Sequence, residues 1–449
     1  MSAAPERLAE IKRALTPRLL LLAAAAGVLA GAAGVVFRLL LNAIQWIAFG
    51  SGSEMLLSAL AAVPGWRIVL APALGGLAVG LYFRFVFPAR RPLGPADTIE
   101  AALRDGAMPA GKSLLGTLAN ALSLGVGASV GREGPVVLLG GALGAWLAGV
   151  VRVRPADARI LLAAGVAACV AASFNAPAAA AIFALEVVLL GYRLVPLPAL
   201  AIASAVGTLV SRAWFGSAPL FPLPARGFST LADLPASGAL GVAGALAALA
   251  MMASIFATGD LFARVPGATW LKTCVAGLAV GAIALWVPEV LSYGQEATHG
   301  AMLGRYGLAM LLAIVMAKLA ATAISLGGGF GGGVFSPALV LGSALGGAFG
   351  HALALAFPGA LAAPGAYAAM GAAAVAAPVL GAPISTALIV LEMTEAWNLA
   401  PGVALAAVVA TAMCRPIVGR SFFTWQLQRR GVAVPAGREG VTSSPPRPS

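Results

Sequence analysis

Two short stretches carry residues on which chemistry can be built. Gly131-Arg132-Glu133-Gly134-Pro135 sets a guanidinium and a carboxylate side by side in a glycine-rich turn that ends in proline. Gly332-Gly333-Val334-Phe335-Ser336-Pro337 repeats the glycine–proline frame with no ionisable residue. Glycine permits close approach of backbone to a bound group, and proline suits the first turn of a helix, where N–H groups lack intrahelical partners. Those free N–H groups and the positive end of the helix dipole attract anions. Two such helix starts would hold a desolvated anion without a full positive charge, whereas a fixed lysine would bind too tightly for rapid passage. On residue type alone, Glu133 has two readings. It is a carboxylate that stabilises a helix N-terminus, or a functional carboxylate in the site itself.

Other chemistries find little material. Cys169, Cys274 and Cys414 are isolated within apolar tracts, without metal or redox spacing. His299 and His351 are the two histidines of the chain, too few for a histidine-based hydrolase or a metal centre. No paired aspartates sit in facing apolar tracts, and no Ser/Lys dyad lies at a plausible depth. We therefore expect neither an enzyme nor a resident cofactor. Lys318, in mid-tract, is expected to snorkel or to pair with a carboxylate.

The elements that must position these residues follow from composition. Of 449 residues, 60% are apolar and 10% charged, with a mean hydropathy of +0.96. A soluble domain carries about a quarter charged residues. Apolar tracts near 19–49, 67–88, 113–151, 159–190, 194–214, 236–257, 270–290, 307–326, 334–357, 367–392 and 400–418 are each long enough to cross or deeply enter a hydrocarbon core of about 30 Å. An all-α polytopic membrane protein is expected, with the lipid bilayer as its first partner. The net charge of +12 does not imply nucleic acid, because no soluble domain presents a basic surface. Its basic residues gather at tract ends: Arg7, Lys12, Arg13 and Arg18; Arg84, Arg90 and Arg91; Arg152, Arg154 and Arg159; Arg415, Arg420, Arg429 and Arg430. That positive-inside pattern predicts both termini in the cytoplasm. The apolar run from Leu19 outlasts the 7–15-residue core of a signal peptide, so it reads as the first, uncleaved membrane helix. The expected layout is a cytoplasmic segment over 1–18, a membrane domain over 19–425 and a cytoplasmic, disordered tail over 426–449.

An internal repeat organises the membrane domain. The run after Pro135, Val-Val-Leu-Leu-Gly-Gly-Ala-Leu-Gly-Ala, parallels Ala-Leu-Val-Leu-Gly-Ser-Ala-Leu-Gly-Gly after Pro337. Downstream, Ala176-Pro177 opens an apolar run ending at Glu186, and Ala382-Pro383 opens one ending at Glu392, proline and glutamate standing nine residues apart in both. The repeats cover about 19–215 and 236–420. Tracts broken by Gly and Pro imply short, tilted or discontinuous helices, whose ends build sites where such halves meet.

At these residues the chain resembles the CLC chloride channel and transporter family, and within it the bacterial ClcB-like branch. Gly131–Pro135 is similar to the family's G-[KR]-E-G-P motif, and Gly333–Pro337 to its G-x-F-x-P motif. Phe174-Asn175-Ala176-Pro177 and Leu391-Glu392-Met393-Thr394 resemble further family segments. The resemblance implies a CLC-type bundle of two inverted repeats and a homodimer in the bacterial cytoplasmic (inner) membrane, without regulatory nucleotide-binding modules here. It implies chloride as the transported ion, with Glu133 as the gate. Gly94, Arg132, Gly134, Val334, Phe335 and Phe423 are the implied anion-binding positions.

Three departures stand out. The family's G-S-G-x-P motif falls near Leu93-Gly94-Pro95-Ala96-Asp97, so Gly94 stands where a serine would touch the central anion. Its C-terminal tyrosine is replaced by Phe423. A glutamate that relays protons in coupled members is here Val187, just after Glu186, which reads as a buried structural carboxylate. The expected function is therefore a gated chloride channel, with a chloride/proton antiporter or an exporter of another small anion as the alternative.

Overall fold

The computed structural model describes residues 16–52, 56–87, 91–223, 233–359, 361–419 and 421–434. Of the basic residues at tract ends, Arg7, Lys12, Arg13, Arg90 and Arg420 lie outside the described residues. The first half comprises α1 (Pro17–Phe49), α2 (Leu56–Leu60), α3 (Gly65–Phe85), α4 (Pro95–Leu103), α5 (Ala110–Gly125), α6 (Glu133–Val151), α7 (Pro155–Phe174), α8 (Pro177–Phe183) and α9 (Leu197–Phe215); a π-helical turn over Ala184–Val188 extends α8. The second half comprises α10 (Asp233–Arg264), α11 (Thr269–Ala284), α12 (Gln295–Met302), α13 (Leu308–Gly327), α14 (Phe335–Ala356), α15 (Pro364–Leu380), α16 (Pro383–Thr394) and α17 (Ala400–Val418), and the chain closes with α18 (Phe422–Arg429). Among the described residues, nine helical stretches are long and apolar enough to cross a membrane.

The halves repeat one another helix by helix. α6 packs on α7 as α14 does on α15, and α1 packs on α7 and α9 as α10 does on α15 and α17. α3 against α11 and α8 against α16 join the halves. The sequence explains these interfaces. In lipid no hydrophobic force drives helices together, so close backbone contact matters, and small residues permit it. A Cβ on Gly144 would stand 2.1 Å from the Leu161 carbonyl oxygen, and one on Gly346 would stand 2.0 Å from that of Tyr367. Gly140 and Gly342 meet Gly165 and Gly371 in the same way. The alanine-rich helices α7 and α15 fill the interior, while α1 and α10 expose Leu21, Val28, Val36, Leu246 and Leu261 on the outer surface.

The breaks between helices are as regular. α7 ends at Asn175 (φ 54°) and α15 at Gly381 (φ 69°), both left-handed, a conformation that Gly and Asn adopt at low cost. An alanine follows each, and then Pro177 or Pro383 starts the next helix. The expected end of the membrane domain at 425 falls inside α18, which continues to Arg429 with Leu427 buried. The Ser421 hydroxyl accepts the Thr424 N–H at 3.2 Å and so caps this helix. Residues 426–429 thus belong to the folded unit and not to a disordered tail; 435–449 lie outside the described residues.

Candidate functional site

The two glycine-rich turns meet. The Gly131 N–H donates to the Gly333 carbonyl and the Gly333 N–H to that of Gly131, each at 2.8 Å, in an antiparallel bridge. A pair of bonds of this kind is its own twofold image, so the local symmetry axis runs between the two residues. α6 and α14 both start there.

Glu133, the first residue of α6, reaches across the axis to the start of α14. Its Oε1 accepts the Phe335 N–H at 2.5 Å, and its Oε2 accepts the Ser336 hydroxyl at 2.9 Å and the Ser336 N–H at 3.3 Å. The carboxylate thus occupies the anion-attracting end of the other repeat's helix, not of its own. Glycine makes the room. The three atoms nearest a Cβ on Gly131 would all belong to the Glu133 carboxylate, the closest at 2.1 Å, and a Cβ on Gly333 would lie 1.9 Å from Oε1. A Cβ on Gly134 would meet the Gly332–Gly333 backbone at 2.6 Å.

Cavities adjoin this seat on two sides. One, of about 250 Å³, is lined by Gly94, Gly333, Val334 and Phe423 and rimmed by Arg91, Arg429 and Arg430. Asp97 ties part of the rim together, accepting from Arg91 at 2.6 Å and from Arg430 at 3.2 Å. The other, of about 10 Å³, is a constriction lined by Arg132, Phe174, Tyr293 and Ser336. The Arg132 guanidinium lies 4.7 Å from the Phe174 ring centroid and 5.1 Å from that of Tyr293, and Phe174 meets Phe335 edge to face at 5.5 Å. The Glu133 carboxylate touches Gly333, in the wall of the first cavity, and Ser336, in the wall of the second.

The structure brings together Glu133, Gly134, Val334 and Phe335 at the helix starts, places Arg132 at the constriction, and puts Gly94 and Phe423 in the wall of the larger cavity. The Gly94 N–H does not point a free donor at that cavity, because it donates to Asp97 Oδ2 at 2.9 Å. Val187 is buried in the π turn. Its neighbour Glu186 accepts from Ser385 N (2.7 Å), Ile384 N (3.3 Å) and the Tyr192 hydroxyl (2.9 Å). Glu392 accepts from Ala179 N (2.8 Å) and Ala178 N (3.1 Å). Each glutamate therefore caps the opposite repeat's short helix, a reciprocal lock made of charge-assisted bonds worth about 1.5–3 kcal/mol apiece.

Lys318 departs from expectation. It neither snorkels nor pairs with a carboxylate: wholly buried, it donates to the carbonyls of Val290 at 2.9 Å and Ser292 at 3.0 Å. It pins the turn that leads to Tyr293. Two further contributors were not singled out from sequence, Ser336 and Tyr293. Ser336 was within reach, since overlaying the repeats sets it against Gly134 at the second residue of its helix; Tyr293 carries no local signal.

Fold and site together define a duplicated membrane bundle in which the glycine-rich helix starts of the two halves meet around a buried carboxylate. The profile of the family described as "voltage gated chloride channel" matches residues 75–415, and the chain belongs to that family, the CLC proteins. It is 31% identical over 404 residues to the voltage-gated ClC-type chloride channel ClcB of Escherichia coli, covering 89% of this chain and 96% of that protein. A ClcB-like protein of Ralstonia nicotianae is 31% identical over 371 residues, 82% of this chain and 86% of its own. Among solved structures, a slow cyanobacterial Cl⁻/H⁺ antiporter superposes with a TM-score of 0.81 at 25% identity, over 93% of this chain and 98% of its own. A CLC-type fluoride/proton antiporter shares the fold at a TM-score of 0.75 and 23% identity, over 91% and 97%.

Proposed function

We propose that this protein carries chloride across the bacterial cytoplasmic membrane as a gated channel, with Glu133 as the gate. The observation that carries this reading is the Glu133 carboxylate seated on the Phe335 and Ser336 donors at the start of α14. A carboxylate and a chloride ion compete for the same N–H donors, so passage requires the side chain to swing away or take up a proton. Arg132, at the narrow approach, adds a positive field that cation–π contact with Phe174 and Tyr293 holds in place. Gly94, Val334 and Phe423 line the wider cavity, where Arg91, Arg429 and Arg430 outnumber their carboxylate partners Asp97 and Asp260 by one positive charge and so favour anions. Without hydroxyls at Gly94 and Phe423, an ion in that cavity relies on backbone and water.

Val187 favours channel over exchanger, since valine cannot carry a proton and Glu186 is engaged by two amides and a phenol. The likeness to a Cl⁻/H⁺ antiporter is the observation in favour of exchange. Reconstituted vesicles read by chloride and pH electrodes together decide between them. A chloride gradient at clamped potential should drive chloride with no uphill proton movement; a fixed proton-to-chloride ratio, lost in Glu133→Ala, would establish exchange. We further propose a twofold homodimer with both termini in the cytoplasm, testable by subunit counting in lipid and by labelling terminal tags from each side.

A further inference from the structure

Beside the narrow approach, the turn between α11 and α12 encloses a small cavity of about 20 Å³, lined by Gln45, Leu56, Leu60, Glu289, Gln295 and Glu296 among others. Three acceptor oxygens stand out in its lining. Gln45 Oε1, Glu289 Oε2 and Gln295 Oε1 are buried and meet no donor of the chain. Gln45 is 1% exposed and Glu289 7%. Three acceptor oxygens on one cavity cannot satisfy each other, and each leaves a penalty of about 1–3 kcal/mol unless something positive or proton-bearing sits among them.

Hydrogen bonding separates the two carboxylates of the lining. The Glu296 carboxylate already accepts the backbone N–H of Ser58 at 3.0 Å and also the Ser58 hydroxyl, which leaves Glu289 as the uncompensated anion in the cavity. Lys318, behind the turn, spends two donors on the Val290 and Ser292 carbonyls. Burial pushes the Glu289 carboxyl above its usual range, as expected of a charge that the chain itself does not offset. A cavity of this size admits one water-sized particle, since roughly 10–15 Å³ suffices for one. Among the described residues no three His, Cys, Asp or Glu side chains cluster as a metal site, which argues against a tightly held divalent ion. Hard oxygen ligands and a single uncompensated charge suit an alkali cation.

We propose that Gln45, Glu289 and Gln295 form a site for one monovalent alkali cation, of potassium size, beside the anion approach. Its consequence follows from chain continuity. Ser292 (φ 53°) and Gly294 (φ 70°) hold the turn in left-handed conformations on either side of Tyr293, whose ring packs on Arg132. A cation bridging α1 to both ends of this turn fixes the wall of the constriction next to Glu133.

Two measurements test the site. Purified protein is melted at constant chloride and ionic strength in K⁺, Na⁺ or N-methyl-D-glucamine. A melting temperature that rises saturably with K⁺ over N-methyl-D-glucamine is expected, with apparent affinity weakened at least tenfold in Glu289→Gln and Gln45→Leu. Should those variants not fold, Gln45→Glu, which adds a second charge with little change of shape, is expected to tighten binding. Crystals soaked in Tl⁺ should show anomalous density within bonding distance of Gln45 Oε1 and Glu289 Oε2. Identical melting curves in all three cations, as with a buried water or a protonated Glu289, or Tl⁺ bound elsewhere, would overturn the proposal. A flux arm, K⁺ raising chloride flux in the wild type but not in Gln45→Leu, rests on the anion-pathway reading; the binding arms do not, so the two can fail separately.

Discussion

Replacing Glu133 with glutamine tests the gate directly. The ionised side chain makes two strong contacts, 2.5 Å to the Phe335 N–H and 2.9 Å to the Ser336 hydroxyl, with a weaker one at 3.3 Å. Hydrogen bonds to a charged group contribute about 1.5–3 kcal/mol each, and neutral ones about 0.5–1.5. Glutamine keeps the shape but loses roughly 1–1.5 kcal/mol at each strong contact, about 2–3 kcal/mol in all. At 1.4 kcal/mol per factor of ten, the empty seat becomes about 30- to 150-fold more accessible to chloride. The measured flux rises by less once another step limits it. In the wild type, protonation discharges the same carboxylate, so flux should climb as pH falls; in Glu133→Gln that climb should be absent. Chloride efflux from vesicles, followed with an ion-selective electrode between pH 4 and pH 8, supplies the readout. A folded Glu133→Gln protein with wild-type flux and wild-type pH response would refute competition for the seat. One that is folded and inactive would show that the carboxylate is needed for passage rather than opposed to it.

Other perturbations follow from the same contacts. Gly131→Ala puts a Cβ 2.1 Å from the Glu133 carboxylate, so it should evict that side chain and raise flux at neutral pH much as Glu133→Gln does; unchanged flux in a folded protein would show that the carboxylate has another resting place. Gly94 has φ −167°, open to any residue, and the atom nearest its Cβ would be the Gly332 carbonyl oxygen at 4.0 Å. Gly94→Ser should therefore fit and place a hydroxyl in the larger cavity. A hydrogen bond to an ion, about 1.5–3 kcal/mol before desolvation, should tighten chloride binding by about tenfold in calorimetry, and no change would mean that the ion does not rest beside Gly94. Gly346→Ala drives a Cβ to 2.0 Å from the Tyr367 carbonyl and must separate α14 from α15. Overpacking of this kind costs about 1–3 kcal/mol, and an unaltered melting temperature in detergent would contradict it.

Much was legible in the sequence because its signals are local. A bilayer demands long apolar tracts, proline favours helix starts and glycine or asparagine favours left-handed helix ends, so the all-α class, the breaks at Asn175-Ala176-Pro177 and Gly381-Ala382-Pro383, and the duplication all show as patterns along the chain. Residue type alone left Glu133 open between stabilising a helix start and acting in the site, and the resemblance to the CLC family supplied the expectation of a gate. What sits opposite a residue is decided by contact between segments some two hundred positions apart, and there the sequence is silent. That Glu133 rests on Phe335 and Ser336 of the other repeat and not on its own helix, and that Glu186 and Glu392 cap each other's repeats, are outcomes of how two bundles dock about an axis, whereas Lys318 spends its donors on a turn from Val290 to Ser292 through packing within the second half. Burial leaves each of those polar groups one set of partners within reach, and only the packed structure determines which set that is.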